Sequence, residues 1–149
     1  MNQYFMDWKI LLKHLKKFVA KMSILGNGVD IVDNLRIKKS IKNNNFIKRI
    51  YSNDEIKESK NVKNKINFFA KRFAAKEAFV KSLGIGFRNG INFKDISVKN
   101  NNLGKPELYL NKKIKSFLSQ KLKYKKYKIH LSLSDESRHS IAFVIINKI

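Results

Sequence analysis

The chain has 149 residues, no cysteine and three histidines, and its 33 lysines and arginines against 11 acidic residues leave a net charge of +22. That length holds one domain with a packed core; lack of cysteine excludes disulfides, thiolate nucleophiles and cysteine-based zinc sites; no apolar run approaches the ~18 residues of a membrane-spanning helix. The charge implies an acidic partner (nucleic acid, a membrane surface or an acidic protein), while a lysine- and asparagine-rich composition of AT-rich origin explains it equally well, and both causes stand open here.

Residues 1–22 form a separate compositional unit. Trp8, Leu11, Leu12, Leu15, Phe18 and Val19 recur at helical spacing, with Lys9, Lys13, Lys16, Lys17 and Lys21 between them. This pattern predicts a basic amphipathic helix, of the kind that lies on a membrane or docks on a protein. It has neither the continuous apolar segment nor the small-residue cleavage site of a secretory signal. The expected division is an extension over 1–22 and a complete domain over 23–149. An over-long start, with Met22 as the initiating residue, is the plainer account of the extension.

Residues 24–33 read as a strand. Leu25, Val29 and Ile31 share one face, and Gly26, Gly28 and Asp30 share the other, where the glycines leave room for close approach to the backbone. One helix is predicted from about Leu35 to Ile50. Ser52 and Glu55 form a capping-box signature, followed by a short helix end and surface loop over 57–65. A long helix over about 66–83 is closed by Gly84 as its C-cap. The loop 84–90 carries three glycines. Strands are expected at Phe93 to Val98 and Glu107 to Leu110, joined by a turn at 101–106, then a helix over 111–123. A closing hairpin pairs the alternating runs around Ile129–Leu133 and Ile141–Ile145. Helices inserted among antiparallel strands indicate an α+β fold, a small antiparallel sheet packed with a long helix.

Within the long helix, the apolar stripe Ile66, Phe69, Phe73 continues one turn later onto Glu77. Residues four apart share a face, so this carboxylate follows the stripe toward whatever it packs against. Burying a charge is costly unless it is paired or bound to a metal. Asp30 stands on the glycine-lined face of the first strand. Two carboxylates without histidine or cysteine suit Mg²⁺, which takes one or two protein carboxylates and completes its shell with water and substrate phosphates. Arg72, Lys76 and Lys81 on the same helix are then candidates to bind phosphate oxygens or to place a proton acceptor. An ordinary surface ion pair between Glu77 and Lys81 explains those two residues as well. The glycine loop lacks the ending of a P-loop. No nucleophile elbow accompanies Ser132, Ser134, Asp135 and His139, and a sheet-rim position accounts for them.

Five ordered blocks carry a family resemblance: Ile24-Leu25-Gly26-Asn27-Gly28-Val29-Asp30-Ile31-Val32; Phe69-Ala70-Lys71-Arg72-Phe73-Ala74-Ala75-Lys76-Glu77-Ala78 with Lys81; Gly84-Ile85-Gly86; Asn102-Leu103-Gly104-Lys105-Pro106; and Leu131-Ser132-Leu133-Ser134-Asp135-Glu136. From Ile24 onward the chain resembles the holo-acyl-carrier-protein synthases, the small trimeric class of 4′-phosphopantetheinyl transferases. The resemblance implies a cytoplasmic, Mg²⁺-dependent homotrimer of fatty acid biosynthesis with sites between subunits. It would move the phosphopantetheine arm of coenzyme A to a serine of apo acyl carrier protein, releasing adenosine 3′,5′-bisphosphate. By position Asp30 and Glu77 match the magnesium ligands, and Lys81 the lysine near the reacting phosphate. Arg72, Gly84, Gly86 and Pro106 match coenzyme A positions, and Arg36 a contact to the acidic carrier protein. Glu77 is the first candidate to accept the serine proton. Asp135 stands where some members have histidine, and Ile85 where many have threonine. Two rival readings are a nucleic-acid-binding module, which would interleave exposed aromatics with basic residues, and an inactive homologue, which the intact Asp30, Glu77 and Lys81 oppose. Neither a nucleic-acid partner nor stable membrane insertion is expected.

Overall fold

The computed structural model describes residues 8–21, 23–88, 90–122 and 126–149; Met22, Asn89 and Lys123, which figure in the predictions above, lie outside them. The extension forms helix α1 (Trp8–Lys21), and the first strand, β1 (Ile24–Asp33), follows it. β1 pairs antiparallel with β5 (His139–Lys148), which pairs with β4 (Tyr127–Asp135), giving the order β1-β5-β4. β2 (Ile96–Asn100) and β3 (Pro106–Leu110) make a separate antiparallel pair, and α6 (Lys112–Leu122) leads from it toward β4. This is the expected α+β arrangement, with the long helix α5 (Lys65–Ser82) packed on one face of the three-stranded sheet.

The glycine face of β1 is the one that packs inward. A Cβ placed on Gly26 would lie 2.0 Å from the carbonyl oxygen of Ser82, and one on Gly28 would lie 2.0 Å from that of Ala78. Helix and strand therefore meet backbone to backbone, which only glycine allows. α5 meets the approach with Ala70, Ala74 and Ala78, all without solvent exposure, and β5 adds the buried Ala142, Val144 and Ile146. Asp30, two residues beyond Gly28, inherits the same inward face beside Ala142.

The helix predicted over 35–50 is two helices, α2 (Asn34–Ser40) and α3 (Asn44–Ile50). Asn43 divides them: its side-chain oxygen accepts from the backbone N–H groups of Asn45 and Phe46, capping a new helix instead of continuing the old one. α2 is capped by Asp33 and anchored by Asn34, whose amide reaches the Glu136 carbonyl at 3.0 Å and accepts from the Ser140 hydroxyl at 2.8 Å. The Ser52–Glu55 capping box is present at the start of α4 (Asn53–Glu58). α5 ends at Ser82 with Leu83, not the expected Gly84, as its C-cap; Gly84 sits one place beyond, with φ +65°. Residues 93–95, expected as strand, are a 3-10 turn in which Asp95 accepts from the N–H of Asn92.

Candidate active site

Asp30, Arg36, Glu77 and Lys81 line one cleft of about 370 Å³, walled by Val32, Ile37, Phe46 and Phe73. Each arrives by a local cause. The glycine-lined approach brings Asp30 to the helix, the i, i+4 spacing puts Glu77 and Lys81 on one edge of α5, and the Asn34 anchor holds Arg36 near the start of α2. The Lys81 ammonium bonds the Asp30 carboxylate at 2.7 Å, joining helix and strand across the cleft.

Glu77 is half-buried, and burial pushes its carboxyl above the usual carboxylate range; the charge of Asp30 pushes the same way, and Lys81 opposes both. Two carboxylates that repel each other in a partly dry cleft form a site that a cation relieves, and a carboxylate with raised proton affinity is a better base. The donor set fits Mg²⁺: two carboxylates, all-oxygen, with the remaining positions left to water and phosphate. Among the described residues there is no group of three or more His, Cys, Asp or Glu side chains that could hold a metal, so a cation here would depend on ligands the protein does not supply.

The other predicted residues lie apart from this cleft. Arg72 is buried in α5, stacked 3.4 Å above the Phe68 ring and paired with Glu58 at 3.1 Å, with its Nε unpartnered. Gly84 and Gly86 are exposed at the end of α5, both at positive φ. Pro106 lines a second groove, between β3 and β4, with Lys105, Tyr109, Lys128 and His130. Asp135, at the end of β4, is bonded at 2.7 Å by both Lys71 and Asn67.

Lys76 corrects an expectation. It was a candidate phosphate ligand, yet it is fully buried, donating to Glu55 and to the Ile50 carbonyl, each at 2.7 Å. Glu55 in turn accepts from the backbone N–H groups of Ser52 and Val98. A buried ammonium with this full set of partners is structural, since releasing it would strand a carboxylate in the core. Sequence reasoning also missed Phe46, Phe73 and Ser40 as cleft walls. They read there as ordinary helix residues.

A family model, the 4′-phosphopantetheinyl transferase superfamily, matches residues 26–144. A holo-[acyl-carrier-protein] synthase of Pelagibacter ubique (strain HTCC1062) is 53% identical over 127 residues, covering 85% of this chain and 99% of the relative. The chain belongs to the 4′-phosphopantetheinyl transferase superfamily. Two solved structures share the superfamily fold. The holo-[acyl-carrier-protein] synthase from Neisseria meningitidis superposes with a TM-score of 0.78 at 36% identity, over 85% of this chain and 100% of that one. The holo-(acyl-carrier-protein) synthase from Bacillus anthracis str. Ames, in complex with CoA (3′,5′-ADP), gives a TM-score of 0.71 at 32% identity, over 86% and 99%. The superfamily match begins at Gly26, leaving α1 outside it.

Proposed function

We infer that the chain is a holo-[acyl-carrier-protein] synthase of fatty acid biosynthesis. It transfers the 4′-phosphopantetheine moiety of coenzyme A to a serine of apo acyl carrier protein, releasing adenosine 3′,5′-bisphosphate. The observation that carries this is the convergence of Asp30, Glu77 and Lys81 in one cleft of a chain so similar to named synthases.

The serine oxygen forms a bond to the phosphorus that bears the pantetheine arm, and the bond from that phosphorus to the bisphosphate leaving group breaks. The serine proton needs an acceptor, and Glu77 in the cleft, directly or through a metal-bound water, is the first candidate to take it. Lys81 offsets phosphate charge at the rim. Asp30 and Glu77 would hold Mg²⁺, which when bound neutralises the pyrophosphate and orients the phosphorus. Arg72, Gly84, Gly86 and Pro106 contact coenzyme A, as their match to the family's positions implies. Arg36, exposed beside the cleft, meets the acidic carrier protein, and the +22 charge steers that encounter.

The active form is a homotrimer with sites between subunits, working in the cytoplasm. Support comes from the outer face of the sheet, where Val29 and Ile31 stand opposite Phe143 and Ile141, all four exposed. A contiguous apolar face of this kind marks an association surface. A trimer would put Asp30 and Glu77 of one subunit beside a loop of its neighbour, as cyclic symmetry permits. Among the described residues no helix is long and apolar enough to cross a membrane.

The test is direct: incubate the protein with apo acyl carrier protein, coenzyme A and Mg²⁺ and measure the carrier's mass. The carrier should gain the phosphopantetheine arm. A folded protein that modifies none of several carrier proteins overturns the assignment.

A further inference from the structure

The transferase reaction leaves α1 without a role. Three observations bear on what it does. Its described side chains present apolar surface to solvent: Trp8 is 67% exposed, Ile10 57% and Leu12 50%. Its pattern is one-sided in sequence, with Trp8, Leu11, Leu12, Leu15, Phe18 and Val19 along one stripe and five lysines elsewhere. No acidic residue lies in its first turn, and none occurs anywhere between Trp8 and Lys21. A helix whose charged residues are all cations is complementary to a negatively charged plane, although Ile10 interrupts the lysine side, and its length suits lying in an interface instead of crossing one.

We propose that α1 lies on the surface of an anionic lipid bilayer, its Trp8–Leu12 side immersed at the headgroup boundary, and holds the transferase domain at the membrane. Charge complementarity chooses this occupant. The apolar stripe enters the acyl boundary, the lysines meet lipid phosphates, and Trp8 takes the interfacial depth that indole favours. The rest of the chain, itself strongly basic, adds long-range attraction but no apolar insertion. Salt should therefore weaken the approach more than it weakens the seated helix.

Trp8 is the only tryptophan in the chain, so its emission reports on this helix alone. The full-length protein is titrated with vesicles of phosphatidylglycerol and phosphatidylcholine, and separately with phosphatidylcholine alone. Trp8 emission should shift to the blue with the anionic vesicles and stay in place with the neutral ones. Leu12→Glu should weaken vesicle binding roughly tenfold and abolish the shift, while carrier-protein modification in solution continues at the wild-type rate. That rate also shows that the variant is folded.

Several results would overturn the proposal. Co-sedimentation with vesicles and no change in Trp8 emission would assign binding to the body's charge. A blue shift that survives Leu12→Glu would remove the apolar stripe from the contact. Emission already blue in buffer and unmoved by vesicles would mean that α1 docks on protein. A shift produced by apo acyl carrier protein instead of vesicles would make α1 a second carrier contact.

Discussion

Gly28→Ala tests whether the site is spaced by backbone contact. The new Cβ would stand 2.0 Å from the Ala78 carbonyl oxygen and 2.6 Å from the Ser82 nitrogen, where contacts under 3.0 Å essentially never occur. Both neighbours are main-chain atoms of a buried helix, so no side chain can swing aside. β1 must retreat from α5 by roughly 1 Å, an overpacking that costs about 1–3 kcal/mol. At about 2–4 °C per kcal/mol for a chain of this size, the melting temperature should fall by roughly 2–12 °C. Asp30 travels with the strand while Glu77 and Lys81 stay on the helix. A displacement of about 1 Å in a reacting constellation costs on the order of 100-fold in rate. Thermal melting, and the rate at which apo acyl carrier protein gains mass, measure the two losses separately. An alanine variant with unchanged melting and near-normal rate would refute the backbone contact. Lower melting with a normal rate would refute the claim that this contact sets the catalytic spacing.

Glu77→Gln should abolish transfer and yet not weaken the fold at neutral pH. The folded carboxyl has a raised pKa, so its favourable contribution is complete below the unfolded value and lost as pH rises through the folded one. The melting advantage of the glutamine variant should therefore grow as pH rises above the unfolded value of about 4, and a constant difference would contradict the reading. Lys76→Met should cost about 3–5 kcal/mol in a denaturant titration, because it leaves Glu55 charged and buried; a loss below about 1 kcal/mol would mean that water reaches the pair. Arg36→Glu should raise KM for the carrier protein at least tenfold, leave KM for coenzyme A unchanged and flatten the salt dependence. Equal effects on both substrates would move Arg36 out of the carrier contact.

Much of the fold was legible because its signals are local. The period of α5, the alternation of β4 and β5 and the Ser52–Glu55 box each lie within a few residues. Asp30 was legible as a candidate through the two glycines before it, and Glu77 through its place on an apolar stripe. The break between α2 and α3 was not, because Asn43 can ride in a helix or cap one and its environment decides. The pairing of Lys76 with Glu55 was illegible for another reason. The two are 21 positions apart, and nothing in either neighbourhood marks Lys76 as the lysine turned wholly inward.

That buried lysine has a consequence for the residue after it. The buried Phe69, Phe79 and Val80 hold α5 about its own axis by shape, and Lys76 adds a directional lock. Lys76 works as a key in a keyway: its ammonium has partners in only one angular setting of α5. Successive residues are about 100° apart around a helix, so fixing Lys76 also fixes the bearing of Glu77. The carboxylate at the cleft is aimed from inside the core, by a charge that never meets substrate.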